Sequence, residues 1–204
     1  MTAYVHQRLF AIGAVGALVL TGCSESLPQT EAAPQPSTQE ESPTPASEPI
    51  PKFEVPEYTT DLDLTAEEML AAEEALIGLQ RYIFVSEQVM KSAGEDTLHI
   101  DSVSVGDARD GLEETANDFK SGDYNFTGNI VARDFYLHEM NTDKKQPSTS
   151  TISACLPGES WGINDSSDET DSSGYTNEIE WIWDLRLDGN MWKVSSQNLN
   201  YDHC

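Results

Sequence analysis

"EIEWIWDLRLDGNMWKV", residues 178–194, is the stretch from which the fold class can be read. Ile179, Trp181, Trp183, Leu185 and Leu187 alternate with Glu178, Glu180, Asp184, Arg186 and Asp188, and Ile182 alone breaks the pattern. Alternation with a period of two sends one set of side chains to each face of a pleated strand. Asp188-Gly189-Asn190 is a hairpin signal. The partner strand is "MWKVSSQNL", 191–199. An antiparallel pair with one apolar and one charged face belongs to a sheet covered on one side.

Upstream, "STSTISACL", 148–156, reads as another strand, with Ile152 and Ala154 on one face. "YNFTGNIVARDFYLHEM", 124–140, reads as a single strand with Gly128 as a bulge or bend. A polar loop separates residue 156 from the hairpin. Before residue 124 the period changes. "TAEE", 65–68, is a capping box, in which Thr65 caps the helix and Glu68 reaches back to the cap amide. The spacing predicts a helix to about Ala93, with Leu70, Ile77, Phe84 and Val85 on its core face and Leu76, Val89 and Met90 at the edges. A second helix is predicted over Gly106–Lys120, with Leu112, Ala116 and Phe119 as its stripe. Two helices followed by an antiparallel meander of about four strands make an α+β domain over 62–204, with the helices packed on one face of a curved sheet.

The 204 residues carry 11 Lys and Arg against 36 Asp and Glu, a formal net charge of -25. Such a surface repels phosphate backbones, which excludes nucleic acid as a partner, and it repels anionic lipid. Any membrane attachment therefore needs its own device. Residues 1–22 supply a candidate. Arg8 is their one charged residue, and Leu9–Leu20 is an apolar run long enough for a signal-peptide core and too short to span a bilayer. The run ends in Leu20-Thr21-Gly22-Cys23. This resembles the lipobox of bacterial lipoproteins. The resemblance implies cleavage before Cys23, lipidation of its sulfur, and a chain anchored to the extracytoplasmic face of a cell membrane. Eight of the ten prolines lie in residues 24–57, among Ser, Thr, Gln and Glu. Residues 23–61 are therefore expected to be a disordered tether, since they cannot bury enough apolar surface to offset their ordering entropy.

The helix opening "LTAEE", a second helix leading into strands, a Cys in a middle strand, and the ending W-x-L-x-L-D-G-N-x-W-K-V closing on a Cys together resemble the NTF2-like, or SnoaL-like, lipoproteins of actinobacteria. The likeness covers 62–204. It departs after Leu156, where related chains often place Asp and this one has Pro157 and Gly158. The resemblance implies a cone with a pocket between helices and sheet. With Cys23 assigned to the anchor, Cys155 and Cys204 remain, both in an exported domain where disulfides persist. Pairing them closes a loop of about 50 residues, worth roughly 4 kcal/mol in the chain-entropy account.

Enzymes of this fold place an Asp with a His or Tyr in the pocket for proton transfer. The candidates here are Asp134, Tyr136, His138 and Asp184. Asp134, Tyr136 and His138 alternate and so share a strand face. Alternatively that face is turned to solvent, with Phe135 and Leu137 pointing inward. The acidic loop 164–174 lacks the ligand spacing of a calcium hand, because Asp165, Asp168 and Asp171 are three apart. Trp161, Trp181, Trp183 and Trp192 fit core packing or a pocket wall better than a sugar platform. No metal or cofactor motif is present, and none is expected. The composite expectation is a non-catalytic binding or scaffold module of the cell envelope, its partner an envelope protein or a small ligand. The alternative is a small-molecule-binding or SnoaL-like enzyme using the cone pocket. The residues that line that pocket discriminate the two.

Overall fold

The computed structural model describes residues 49–122, 124–143, 145–165, 178–200 and 204. In chain order the elements are β1 (Tyr58–Thr59), α1 (Ala66–Lys91), α2 (Ile100–Val103), α3 (Gly106–Ser121), β2 (Tyr124–Gly128), β3 (Arg133–Asn141), β4 (Thr149–Pro157), β5 (Trp161–Asp165), β6 (Glu178–Asp188) and β7 (Met191–Asn200). The class is α+β. One curved sheet has the order β1-β3-β4-β6-β7, and β2 pairs with β5 in a second, two-stranded sheet.

The 178–194 hairpin closes as Asp188 opposite Met191, Leu187 opposite Trp192 and Leu185 opposite Val194. Gly189 has φ +66°, the first central position of a two-residue turn where a Cβ would be strained. The apolar set faces inward. Leu137, Ile152, Trp183 and Gln197 form one row across four strands, and α1 and α3 cover that face with Leu76, Leu79, Leu112 and Ala116 in the shared core. Burial of this apolar face is the main force holding the two layers together.

The segment 124–140 is two strands in two sheets, where the pattern predicts a single strand. Gly128 has φ +84°, and a Cβ there would lie 2.1 Å from the Ser160 carbonyl oxygen. The chain makes that close approach, pairs Tyr124–Gly128 with β5, then leaves to begin β3 at Arg133. β5 itself lies in the region that reads as a polar loop. The main sheet therefore keeps four antiparallel strands and adds the two-residue β1, which pairs parallel with β3.

β1 also moves the start of the domain. Residues 49–61, expected to belong to the tether, lie against the domain as a strap. Phe53 meets Phe84 edge-on at 6.1 Å, Gln80 Nε2 donates to the Glu54 carbonyl at 3.0 Å, and Thr60 Oγ1 donates to the Leu137 carbonyl at 2.8 Å. The expected tether upstream of residue 49 lies outside the described residues, as does the signal segment.

The strap explains why the core face of α1 differs from the predicted one. Leu70 is exposed, and Ile77 and Phe84 are half-buried. The buried residues are Ala72, Ala75, Leu76, Gly78, Leu79, Tyr82, Ile83, Val85, Val89 and Met90, so Val85 and the expected edge residues Leu76, Val89 and Met90 are in the core, and the centre of the face is rotated toward the Ala72–Leu79 side. Small residues there let the helix sit close to the sheet, and the larger Phe84 side meets the strap. The capping box forms: Thr65 N–H donates to Glu68 Oε2 at 2.9 Å and Glu68 N–H donates to Thr65 Oγ1 at 3.3 Å. The Thr65 N–H bond, with a second donation from Thr65 Oγ1 to Glu68 Oε2 at 2.8 Å, holds the Glu68 carboxyl below its usual range. α3 buries Ala108, Leu112, Ala116 and Phe119.

Cys155 and Cys204 are bonded, with Cα atoms 5.7 Å apart. Cys155 stands opposite Glu180 on the outer face. β6 lies between β4 and β7, so the bond ties the C-terminus back across one strand.

The tightest helix–sheet contact is at Gly78. A Cβ there would lie 2.7 Å from the Trp192 carbonyl oxygen and 2.8 Å from its Cβ. Gly78→Ala must push backbone from backbone, and is expected to lower stability by about 1–3 kcal/mol. Urea unfolding reads this as a lower midpoint at constant slope; an unchanged midpoint contradicts the close approach.

Candidate functional site

Between α1, α3 and the inner face of the sheet lies a cavity of about 170 Å³. At ~10–15 Å³ per water-sized atom it holds on the order of ten non-hydrogen atoms. Its floor is Trp181 and Trp183 on β6 and Leu156 on β4. The two indoles stack with centroids 6.2 Å apart and an interplanar angle of 16°. Tyr82, Ile83, Ser86 and Met90 line it from α1, and Leu112 and Thr115 from α3. The β2–β5 ribbon closes one side through Trp161 and Ile163, and Phe126 stacks behind Trp161 at 6.4 Å.

The polar groups in these walls are neutral. Tyr82 donates its hydroxyl to Gln197 Oε1 at 2.9 Å. Ser86 Oγ donates to the Tyr82 carbonyl and Thr115 Oγ1 to the Gly111 carbonyl, each at 2.9 Å. Both hydroxyl protons are thus turned back into their own helices, leaving oxygen lone pairs as acceptors. Burial pushes the Tyr82 phenol up to about 12, against a smaller lowering by the Ser86 hydroxyl. No carboxylate or imidazole lines the cavity among the described residues.

Gln197 reaches this wall through a register shift. Trp192 and Val194 face inward, and strict alternation would bring Ser196 in after them. The pairing instead jumps between Asp184–Ser196 and Leu185–Val194, so Ser195 is the extra residue of a bulge. Beyond it Gln197 stands opposite Trp183 and Leu199 opposite Trp181. A bulge re-aims the side chains that follow it.

The four residues singled out for proton transfer stand elsewhere. Asp134 is exposed, with φ +54°, and makes a 3.6 Å ion pair with Arg133. Tyr136 and His138 are on the outer face, their rings 4.7 Å apart. Tyr136 donates to Asp61 Oδ2 at 2.8 Å, and this bond to a carboxylate raises its pKa. His138 Nε2 lies 2.8 Å from Ser153 Oγ. Asp184 accepts from Thr151 Oγ1 at 2.8 Å and from Ser196 Oγ at 2.7 Å. Phe135 and Leu137 are the buried neighbours that point inward. The structure thus brings Tyr136 and His138 together, leaves Asp134 and Asp184 apart from them, and puts all four away from the cavity. Cys23 and residues 166–174 of the acidic loop lie outside the described residues.

The cavity residues that sequence reasoning missed are Tyr82, Ser86, Thr115 and Gln197. Tyr82, Ser86 and Met90 recur at four-residue spacing, which is a helical stripe, but polar members hide it in a hydrophobicity pattern. The bulge that brings in Gln197 leaves no mark in composition.

No family model matches the sequence, and no curated protein does. Among solved structures the chain is similar to the intermembrane space region of chloroplast protein ARC6, at 6% identity and a TM-score of 0.45, covering 59% of this chain and 92% of that one. It is also similar to an NTF2-like protein from Cytophaga hutchinsonii, at 9% identity and a TM-score of 0.38, covering 67% of this chain and 98% of that one.

The Tyr82 shift has a measurable sign. Its folded value near 12 exceeds the ordinary value of 10.0, so its contribution to stability is complete below about pH 10 and is lost as pH rises toward 12. Over that window the unfolding free energy of the wild type is expected to fall more steeply than that of Tyr82→Phe. Parallel curves would show that Tyr82 ionises as freely in the folded state as in the unfolded one.

Proposed function

We propose that this chain is an exported lipoprotein, held at the extracytoplasmic face of a cell membrane through Cys23, whose NTF2-like domain is a non-catalytic binding module for a small, uncharged, largely apolar molecule. The observation that carries the binding reading is the character of the cavity. Its walls are aromatic and aliphatic, with the neutral Tyr82–Gln197 pair and two helix hydroxyls as polar contacts. A few placed polar groups in an apolar hollow is the usual make-up of a small-molecule site. The net charge of -25 disfavours anions.

The enzyme alternative needs groups that give or take a proton near neutral pH. Tyr82, near 12, does neither readily, and the Asp, Tyr and His candidates are on the opposite face. A hollow with a polar contact at its rim also favours a ligand over a pure scaffold. What supports the NTF2-like reading is the order of helices, then meander, together with the hollow between them and the sequence resemblance. The Pro-, Ser- and Glu-rich segment before residue 49 serves as the spacer between lipid and domain.

Two measurements test the two halves. Titration of the chain with naphthol, followed by tryptophan fluorescence and calorimetry, is expected to saturate. Tyr82→Phe should weaken naphthol by about two- to tenfold, the worth of one hydrogen bond, and leave naphthalene unchanged. Absence of saturable binding overturns the ligand reading. Independently, Cys23→Ala is expected to move the chain from the membrane fraction to the soluble fraction. A variant that stays firmly with the membrane refutes the anchor.

A further inference from the structure

A second hollow adjoins the first. It is a groove of about 380 Å³, walled by Phe53 and Pro56 of the strap, Phe84 of α1, and Val131, Ala132 and Phe135 at the start of β3. Ile83 and Ile130 line both the groove and the cavity. These two side chains are therefore the partition between them. The backbone at the partition is held. Glu87 accepts from the Ile130 N–H at 2.5 Å and from Lys91 Nζ at 2.5 Å, and Lys91 also donates to Asn129 Oδ1 at 2.7 Å. Glu87 is the charged side chain on the groove wall, and its carboxylate is already engaged. A connection between the hollows would pass Ile83 and Ile130.

The two hollows lie along one line. Gln197 is on β7, the indole floor on β6, Leu156 on β4 and Phe135 on β3. With β7, β6, β4 and β3 adjacent in the sheet, the path crosses three strand spacings, roughly 14 Å. It starts at a neutral hydrogen-bonding pair and continues past Phe53, Phe84 and Phe135, with Gln80, Glu87 and Asn129 as the polar groups of the groove wall. A rigid aromatic molecule fills only the first part. A flexible chain fits both.

We propose that the ligand is an elongated, uncharged amphiphile, with a hydroxyl-bearing head at the Tyr82–Gln197 pair and an alkyl chain that passes between Ile83 and Ile130 into the groove beneath the strap. This rests on the binding reading above and names its ligand class. The head competes for the Tyr82 hydroxyl and the Gln197 amide. The chain displaces water from the groove and lies against Phe53 and Phe135.

The test is a homologous series of straight-chain primary alcohols from hexanol to decanol, titrated calorimetrically into the full chain. Affinity is expected to rise about fourfold per added methylene, the transfer free energy of one buried CH₂. From hexanol to decanol, four methylenes, this compounds to roughly 250-fold. Ile130→Trp fills the passage at a half-exposed position. Whatever it does to hexanol itself, since Ile130 also lines the cavity, it should bring decanol to within about twofold of hexanol, and a cooperative urea unfolding curve reports that the variant is folded. Phe53→Ala removes a groove wall and should weaken decanol selectively. A wild type that binds naphthol and hexanol but gains nothing with chain length overturns this inference and leaves the binding reading standing. A gain that survives Ile130→Trp also overturns it, because the chain then lies elsewhere. Failure of naphthol and hexanol alike removes the binding reading itself.

Discussion

The contact of α1 with β7 at Gly78 sets the geometry on which everything else depends. Glycine lets the helix backbone come within touching distance of the Trp192 main chain. Beyond that point, toward the C-terminal end of the helix, space opens between helix and sheet. Tyr82, Ser86 and Met90 follow Gly78 at successive four-residue steps, on the same face, and they line the space that opens. Ala72 and Ala75, fully buried, keep the helix low on the other side of the contact. A larger residue at position 78 would lift the whole helix and alter the cavity before it touched any of the cavity's own side chains. Shape here is set at a distance from the walls.

The second constraint is the separation of charge. A chain with this excess of carboxylates must keep them out of its hollow, because an unpaired buried charge is costly. The alternation of β6 does so automatically. Trp181, Trp183 and Leu185 turn inward, while Glu180, Asp184 and Arg186 turn outward. The outer face then satisfies its own polar groups. Asp184 accepts from Thr151 and Ser196, Asn200 donates to Glu180 at 2.7 Å, and Arg133 pairs with Glu178. Lys193 lies 2.8 Å from Asp188 and holds that carboxyl below its usual range, chiefly through the hydrogen bond. The same pleat that builds an acidic exterior builds a neutral interior.

How much of this could be read from the chain depended on whether local pattern and tertiary partner agreed. The hairpin 178–194 was legible because alternation, turn residue and burial point the same way. The capping box was legible because it is local. The break at Gly128 was not, because its cause is a carbonyl of Ser160, more than thirty residues on. The core face of α1 lies away from the predicted one because two partners cover the helix. The sheet takes the side with small residues, and the strap meets Phe84 on the other, so the larger hydrophobes marked the lesser contact. The strap itself carries the Pro-rich composition of a linker; a handful of main-chain and ring contacts nonetheless seat it. Among the cavity residues, Gln197 depends on the Ser195 bulge and was beyond any periodicity.

The strap is held more lightly than the layers it lies against. It is a short parallel edge strand, β1, with the Phe53–Phe84 contact and the Thr60 and Asp61 hydrogen bonds on either side of it. It covers part of the β3 edge, which would otherwise offer unpaired main-chain groups to another chain. A segment held by so few contacts has a low local opening free energy compared with the core. If a ligand's chain lies against Phe53, the ligand binds the docked strap better than the open one. Binding then stabilises docking, and docking strengthens binding by the same factor. The strap is also where the N-terminal segment joins the domain. Occupancy of the groove and attachment of that segment therefore become two sides of one equilibrium, with Phe53 as the residue they share.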